Sequence, residues 1–88
     1  MYFISLLKFK KQPNKAFMAE TQKRLDADTK DGIKFLGIYW TLGRYDAVAL
    51  YEAPSEKAAM KMAMSRADLM NSETLVAIPR EEVKKLVE

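Results

Sequence analysis

Gly37-Ile38-Tyr39-Trp40-Thr41-Leu42-Gly43-Arg44-Tyr45-Asp46 decides the fold, because it reads as a strand running into a tight turn. It holds the chain's only Trp, two of its four Tyr and two of its three Gly. With Gly43-Arg44 as a two-residue hairpin loop, glycine supplies the positive φ that a type II′ turn needs at its first central position. The register follows. Leu42 faces Tyr45, Thr41 faces Asp46, Trp40 faces Ala47, Tyr39 faces Val48 and Ile38 faces Ala49.

Side chains alternate along a strand, so one hairpin face collects Leu36, Ile38, Trp40, Leu42, Tyr45, Ala47, Ala49 and Tyr51. The other collects Phe35, Gly37, Tyr39, Thr41, Asp46, Val48 and Leu50. Both are largely apolar, and both need cover.

Upstream, residues 2 to 10 form a strand with Tyr2, Ile4 and Leu6 on one side and Phe3, Ser5, Leu7 and Phe9 on the other, apolar on both. Pro13 suits the first turn of a helix from Asn14 to Asp28, whose apolar stripe is narrow: Phe17, Thr21 and Leu25, with Met18 beside them. Asp31-Gly32 ends that helix, and the second strand starts near Ile33.

Downstream, the hairpin returns through Glu52, and Ala53-Pro54 breaks it. Ser55 caps an Ala- and Met-rich helix from Glu56 to Asp68, with Ala59, Met62, Ala63, Arg66 and Met70 on one stripe. Met there suits a core with irregular gaps or a subunit contact better than a peptide groove. A strand over residues 72 to 78 and a short helix from Arg80 to Val87 complete the chain.

The order βαββαβ with an added C-terminal helix predicts an α+β, ferredoxin-like domain, a split βαβ drawn twice around a four-stranded antiparallel sheet. Two helices cover only one face of such a sheet. A second copy packed sheet to sheet would cover the other, making a homodimer or higher homo-oligomer of the dimeric α+β barrel type. The Trp40 side is assigned to that interface, and Val48 and Leu50 to the helix side.

Eighty-eight residues make one domain with a modest core, and 49% hydrophobic with 31% charged residues is ordinary for a globular chain. The absence of Cys removes disulfides and thiol chemistry, and the absence of His removes the commonest general base and transition-metal ligand. No cofactor or metal is expected. The net charge of +3 is mild, and Lys8, Lys10, Lys11 and Lys15 read as a solvated strand end rather than a nucleic-acid site. The third strand, Asp46 to Tyr51, also lacks the glycine-aromatic run of an RNA-binding sheet. The apolar start, Met1 to Leu7, falls far short of the roughly 20 residues of a membrane span and lacks a preceding basic region. A cytoplasmic protein without membrane contact is expected.

Tyr39-Trp40-Thr41-Leu42-Gly43-Arg44-Tyr45-Asp46, the apolar strand after it and Glu52-Ala53-Pro54 resemble the GYD-domain family of small bacterial and archaeal proteins. The resemblance implies a ferredoxin-like fold of the dimeric α+β barrel kind, in a family without an established biochemical role. One departure is the link from Lys10 to Pro13, shorter than is usual for that family.

Gly43, Tyr45 and Asp46 match that family's motif, with Arg44 inside it. In one reading, Gly43 makes the turn, Asp46 accepts from turn N–H groups and Tyr45 packs the rim. In the other, a ligand site lies at the barrel mouth. Arg44 pairs with an anionic group, Asp46 or Tyr45 orients it, and Tyr39 and Trp40 form flat walls. A regulatory or accessory protein binding an anionic or aromatic small molecule then stands beside a cofactor-independent oxygenase or isomerase using Arg44, Asp46 and Tyr45 as catalytic candidates. Without His or Cys, proton transfer would fall to Asp46 or a Tyr far from its usual pKa, which favours binding over catalysis.

Overall fold

The computed structural model describes residues 1–88. Its elements run β1 (Tyr2–Phe9), α1 (Lys15–Lys30), β2 (Lys34–Trp40), β3 (Ala47–Glu52), α2 (Glu56–Ser65), β4 (Met70–Ala77) and α3 (Arg80–Leu86). The strands form one antiparallel sheet in the order β2-β3-β1-β4. Each crossover helix spans an intervening strand, as an α+β ferredoxin-like chain requires. Both helices start on side-chain caps. Asn14 Oδ1 accepts the Phe17 N–H at 2.9 Å, and Ser55 Oγ accepts the Ala58 N–H at 3.2 Å.

The hairpin register holds where it was read: Ile38, Tyr39 and Trp40 face Ala49, Val48 and Ala47. The turn is wider than the two-residue loop expected. Leu42 to Tyr45 bulge outward, and the closing bonds run from Thr41 N–H to Asp46 O at 2.9 Å and from Thr41 Oγ1 to Tyr45 O at 2.6 Å. No backbone bond joins Leu42 to Tyr45, the pair that would close a two-residue loop, and the Asp46 N–H is donated to Leu7 O of β1 at 2.8 Å. Gly43 keeps the positive φ, +99°.

A register shift between Phe35 and Gly37 leaves Leu36 as a bulge and moves Phe35 onto the Tyr51 face. The larger correction concerns the two faces. The Trp40, Ala47, Ala49 and Tyr51 side lies under the helices, and Val48 and Leu50 lie on the uncovered side, the reverse of the assignment made from sequence. Size is the reason. Ala49 and Ala53 leave room for Ala59 and Met62 of α2 to come down on Phe3, Ile33 and Tyr51, forming the main core. A second cluster joins Phe17 of α1 to Leu69 and Met70, with Leu7 and Phe9 packed against it.

The uncovered face carries Ile4, Leu6, Val48 and Leu50, flanked by Leu75 and by Tyr39, which is 63% exposed. A Cβ on Gly37 would come within 2.9 Å of the Tyr39 ring, so glycine here lets that ring lie flat along β2. α2 ends at Ser65, short of the expected Asp68, because the Arg66 carbonyl takes the N–H groups of Leu69 and Met70 at 2.9 and 3.0 Å and the chain turns into β4. α3 buries none of its residues. No helix is long and apolar enough to cross a membrane.

Two ion pairs lace α1 to the end of α2. Arg24 makes a bidentate pair with Asp68, 2.7 and 3.1 Å, and Asp28 bonds Arg66 with both residues buried. Asp28 lies in the last turn of α1, buried rather than solvated. Its partner lies 38 positions away, beyond any local pattern. Removing one member strands a buried charge, so Arg66→Met alone should lose about 3–5 kcal/mol in denaturant unfolding. Asp28→Leu combined with Arg66→Met should recover most of that loss.

Candidate functional site

β1, β2, β3 and the start of β4 form the floor of a cavity, and α1 and α2 its roof. α1 reaches the sheet through one buried apolar residue, Phe17, because the rest of its inward stripe is small, polar or half exposed. The space left over measures about 290 Å³ and is mostly apolar. Phe9, Phe17 and Trp40 make an aromatic corner in it: the Phe9 ring is 4.9 Å from Phe17 and 5.0 Å from Trp40. Met18 and Trp40, 50% and 51% exposed, mark its mouth.

Polar groups on the walls are few: Ser5, Ser72, Thr21, Gln22 and Arg66. The Ser5 hydroxyl is within 2.9 Å of the Tyr51 hydroxyl and 3.3 Å of that of Thr74. Arg66 is the only charged lining residue.

The five residues singled out from sequence do not meet here. Trp40 lines the cavity, whereas Tyr39, its neighbour, points to the uncovered face, so the two cannot wall one site. Asp46 turns toward β1, where Oδ2 accepts the Phe9 N–H at 2.7 Å. Tyr45 donates its hydroxyl to Glu73 Oε2 of β4 at 2.5 Å, and that carboxylate pushes the phenol pKa above its ordinary value. The Arg44 guanidinium lies 5.7 Å from the Tyr45 ring centre, and its carbonyl accepts Lys8 Nζ at 3.2 Å.

The motif thus works as a clasp. Gly43 opens the loop, Tyr45 ties it to β4 and Asp46 ties it to β1. The cavity-lining residues that sequence reasoning passed over are Arg66, Ser72 and the Phe9–Phe17 corner. Only the last left a signal, as an apolar strand end facing the first residue of a helical stripe.

A ferredoxin-like α+β domain with an apolar cavity between sheet and helices is therefore the class of protein in hand. Residues 3–87 match the GYD domain, and the chain belongs to that family. No curated protein and no solved structure matches it.

Asp46→Ala leaves the Phe9 N–H without its acceptor and should cost about 1–3 kcal/mol in urea unfolding. Hydrogen bonding from Arg24 holds the Asp68 carboxyl below its usual pKa, a stabilisation present above the unfolded value of about 3.9 and lost as pH falls through the depressed one. Asp68→Asn should accordingly melt below the wild type at pH 7, with the gap closing as pH drops below about 3.9.

Proposed function

We propose that the protein is a homo-oligomer that binds a small, mainly apolar aromatic molecule between its sheet and its helices, in a regulatory or accessory capacity. The observation that carries this is the cavity with its aromatic corner. At about 290 Å³ it stands at the small end of the roughly 300–1,000 Å³ range of ligand sites. An engineered cavity of about 150 Å³ admits benzene, so two fused rings are a suitable load.

Binding is preferred to catalysis because no carboxylate lines the cavity, and Asp46, the base of the catalytic alternative, is committed to a strand N–H. Arg44 serves the clasp and lies outside the cavity, which argues against an anionic anchor at the loop.

Assembly uses the other side of the sheet. Ile4, Leu6, Val48 and Leu50 with Tyr39 form a continuous apolar layer that a second copy would remove from water, and the bulge at Leu36 disfavours edge-to-edge addition at β2. Face-to-face packing fits both facts. Light scattering at micromolar concentration should give a mass of at least two chains of 10.1 kDa, and Leu50→Lys should reduce it to one. A single-chain mass for the wild type would remove the oligomer from the proposal.

Ligand binding is tested by titrating two-ring aromatics against the purified protein. Thr21→Trp, at the cavity wall, should abolish binding, whereas Arg44→Ala should leave it unchanged. The reverse pattern would return the site to the hairpin loop.

A further inference from the structure

Arg66 is placed at the C-terminal cap of α2, where helix geometry turns its side chain inward, and it is 7% exposed. It faces two ways. On one side Nη2 bonds Asp28 and Nη1 is 3.5 Å from the Met62 carbonyl. On the other it lines the cavity. Asp28 is absent from the cavity wall and borders a separate cleft between α1 and α2.

A guanidinium carries five N–H donors, so two bonds leave donors over. Nε makes neither of these bonds, and no fully buried side-chain nitrogen or oxygen lacks a partner, so Nε is not sealed within protein, and Arg66 is among the residues that line the cavity. Its charge is matched by the carboxylate behind it. A donor that this pair offers to the cavity would carry little net charge.

Resting on the binding reading above, we infer that Arg66 selects the polar end of the ligand and that Asp28 sets its charge: the site takes an uncharged aromatic carbonyl compound and disfavours the corresponding carboxylate. A ketone oxygen accepts one N–H without disturbing the ion pair. A carboxylate would bring a second negative charge to a cation already neutralised in an apolar pocket, and losing its hydration there is costly. Asp28 is a positioning residue in this scheme, acting through Arg66.

Three probes of one shape separate the possibilities by calorimetry: 2-acetylnaphthalene, 2-ethylnaphthalene and 2-naphthoate. The wild type should bind the ketone about fivefold more tightly than the hydrocarbon, the scale of one net hydrogen bond, and 2-naphthoate most weakly. Asp28→Asn leaves the Arg66 charge unmatched and should raise 2-naphthoate affinity by roughly 10- to 100-fold, making it the preferred probe. Should Asp28→Asn fail to fold, Asp28→Leu with Arg66→Met supplies the same test: it should keep 2-ethylnaphthalene binding and lose the ketone preference. Equal binding of all three probes by the wild type, or a ketone preference surviving the double change, overturns the inference and leaves the cavity reading standing. Failure of every probe to bind the wild type overturns both.

Discussion

The placement of α1 is the constraint on which the rest depends. A helix normally settles on a sheet through a broad apolar stripe, but here Phe17 is the only large apolar residue of α1 that is buried. What holds the other half is charge. Asp28 reaches Arg66 and Arg24 reaches Asp68, both across to the turn that follows α2. Pinned at one end by a ring and at the other by ion pairs, the helix bridges the sheet instead of collapsing onto it. The cavity is what that bridge leaves underneath. An exposed pair such as Arg24–Asp68 contributes little by itself, so the buried pair carries most of the specificity.

The hairpin loop answers a different need. A four-residue loop at the end of β2 and β3 has no partner of its own, and its backbone groups would otherwise face water or each other. Tyr45 and Asp46 attach it to β4 and β1, so all four strands are joined at one end of the sheet. Residues that look like a charged, aromatic recognition site in the linear sequence are in this way engaged with the protein's own frame. The apolar cavity lies elsewhere, on the helix side of the sheet.

Much of the fold was legible in the chain. Element order, the cap at Ser55 and the pairing of residues 38–40 with 47–49 all follow from local pattern and turn chemistry, whereas α1 starts one residue later than read, with Asn14 as its cap and Pro13 outside it. The choice of faces was not legible. When both sides of a strand are apolar, period-two alternation separates two sets without saying which is inner, and a bulge such as Leu36 reassigns its neighbours. Side-chain size held the missing information. Ala49, Ala53 and Ala59 mark where a helix approaches closely, and Glu52 and Glu73 fall in register on the opposite side. Trp40 reads in the sequence as a wall of a site beside the hairpin loop together with Tyr39, and it lines the cavity under the helices instead. The Asp28–Arg66 pair was not legible, because its members belong to different helices and nothing local couples them.

The division of labour between the two faces follows from β3 alone. Ala47 and Ala49 point to the cavity side, and Val48 and Leu50 to the uncovered side, so small and large residues alternate along one central strand. Small residues toward the helices leave the volume of the cavity. Large residues on the far side form the apolar layer on which the proposed second copy would pack. A swap of these two sets would fill the cavity and strip the far layer at once, since no strand in the sheet can change one face without keeping its neighbours in step. The proposed binding and the proposed assembly are thus separate in space yet written into the same alternation of residues.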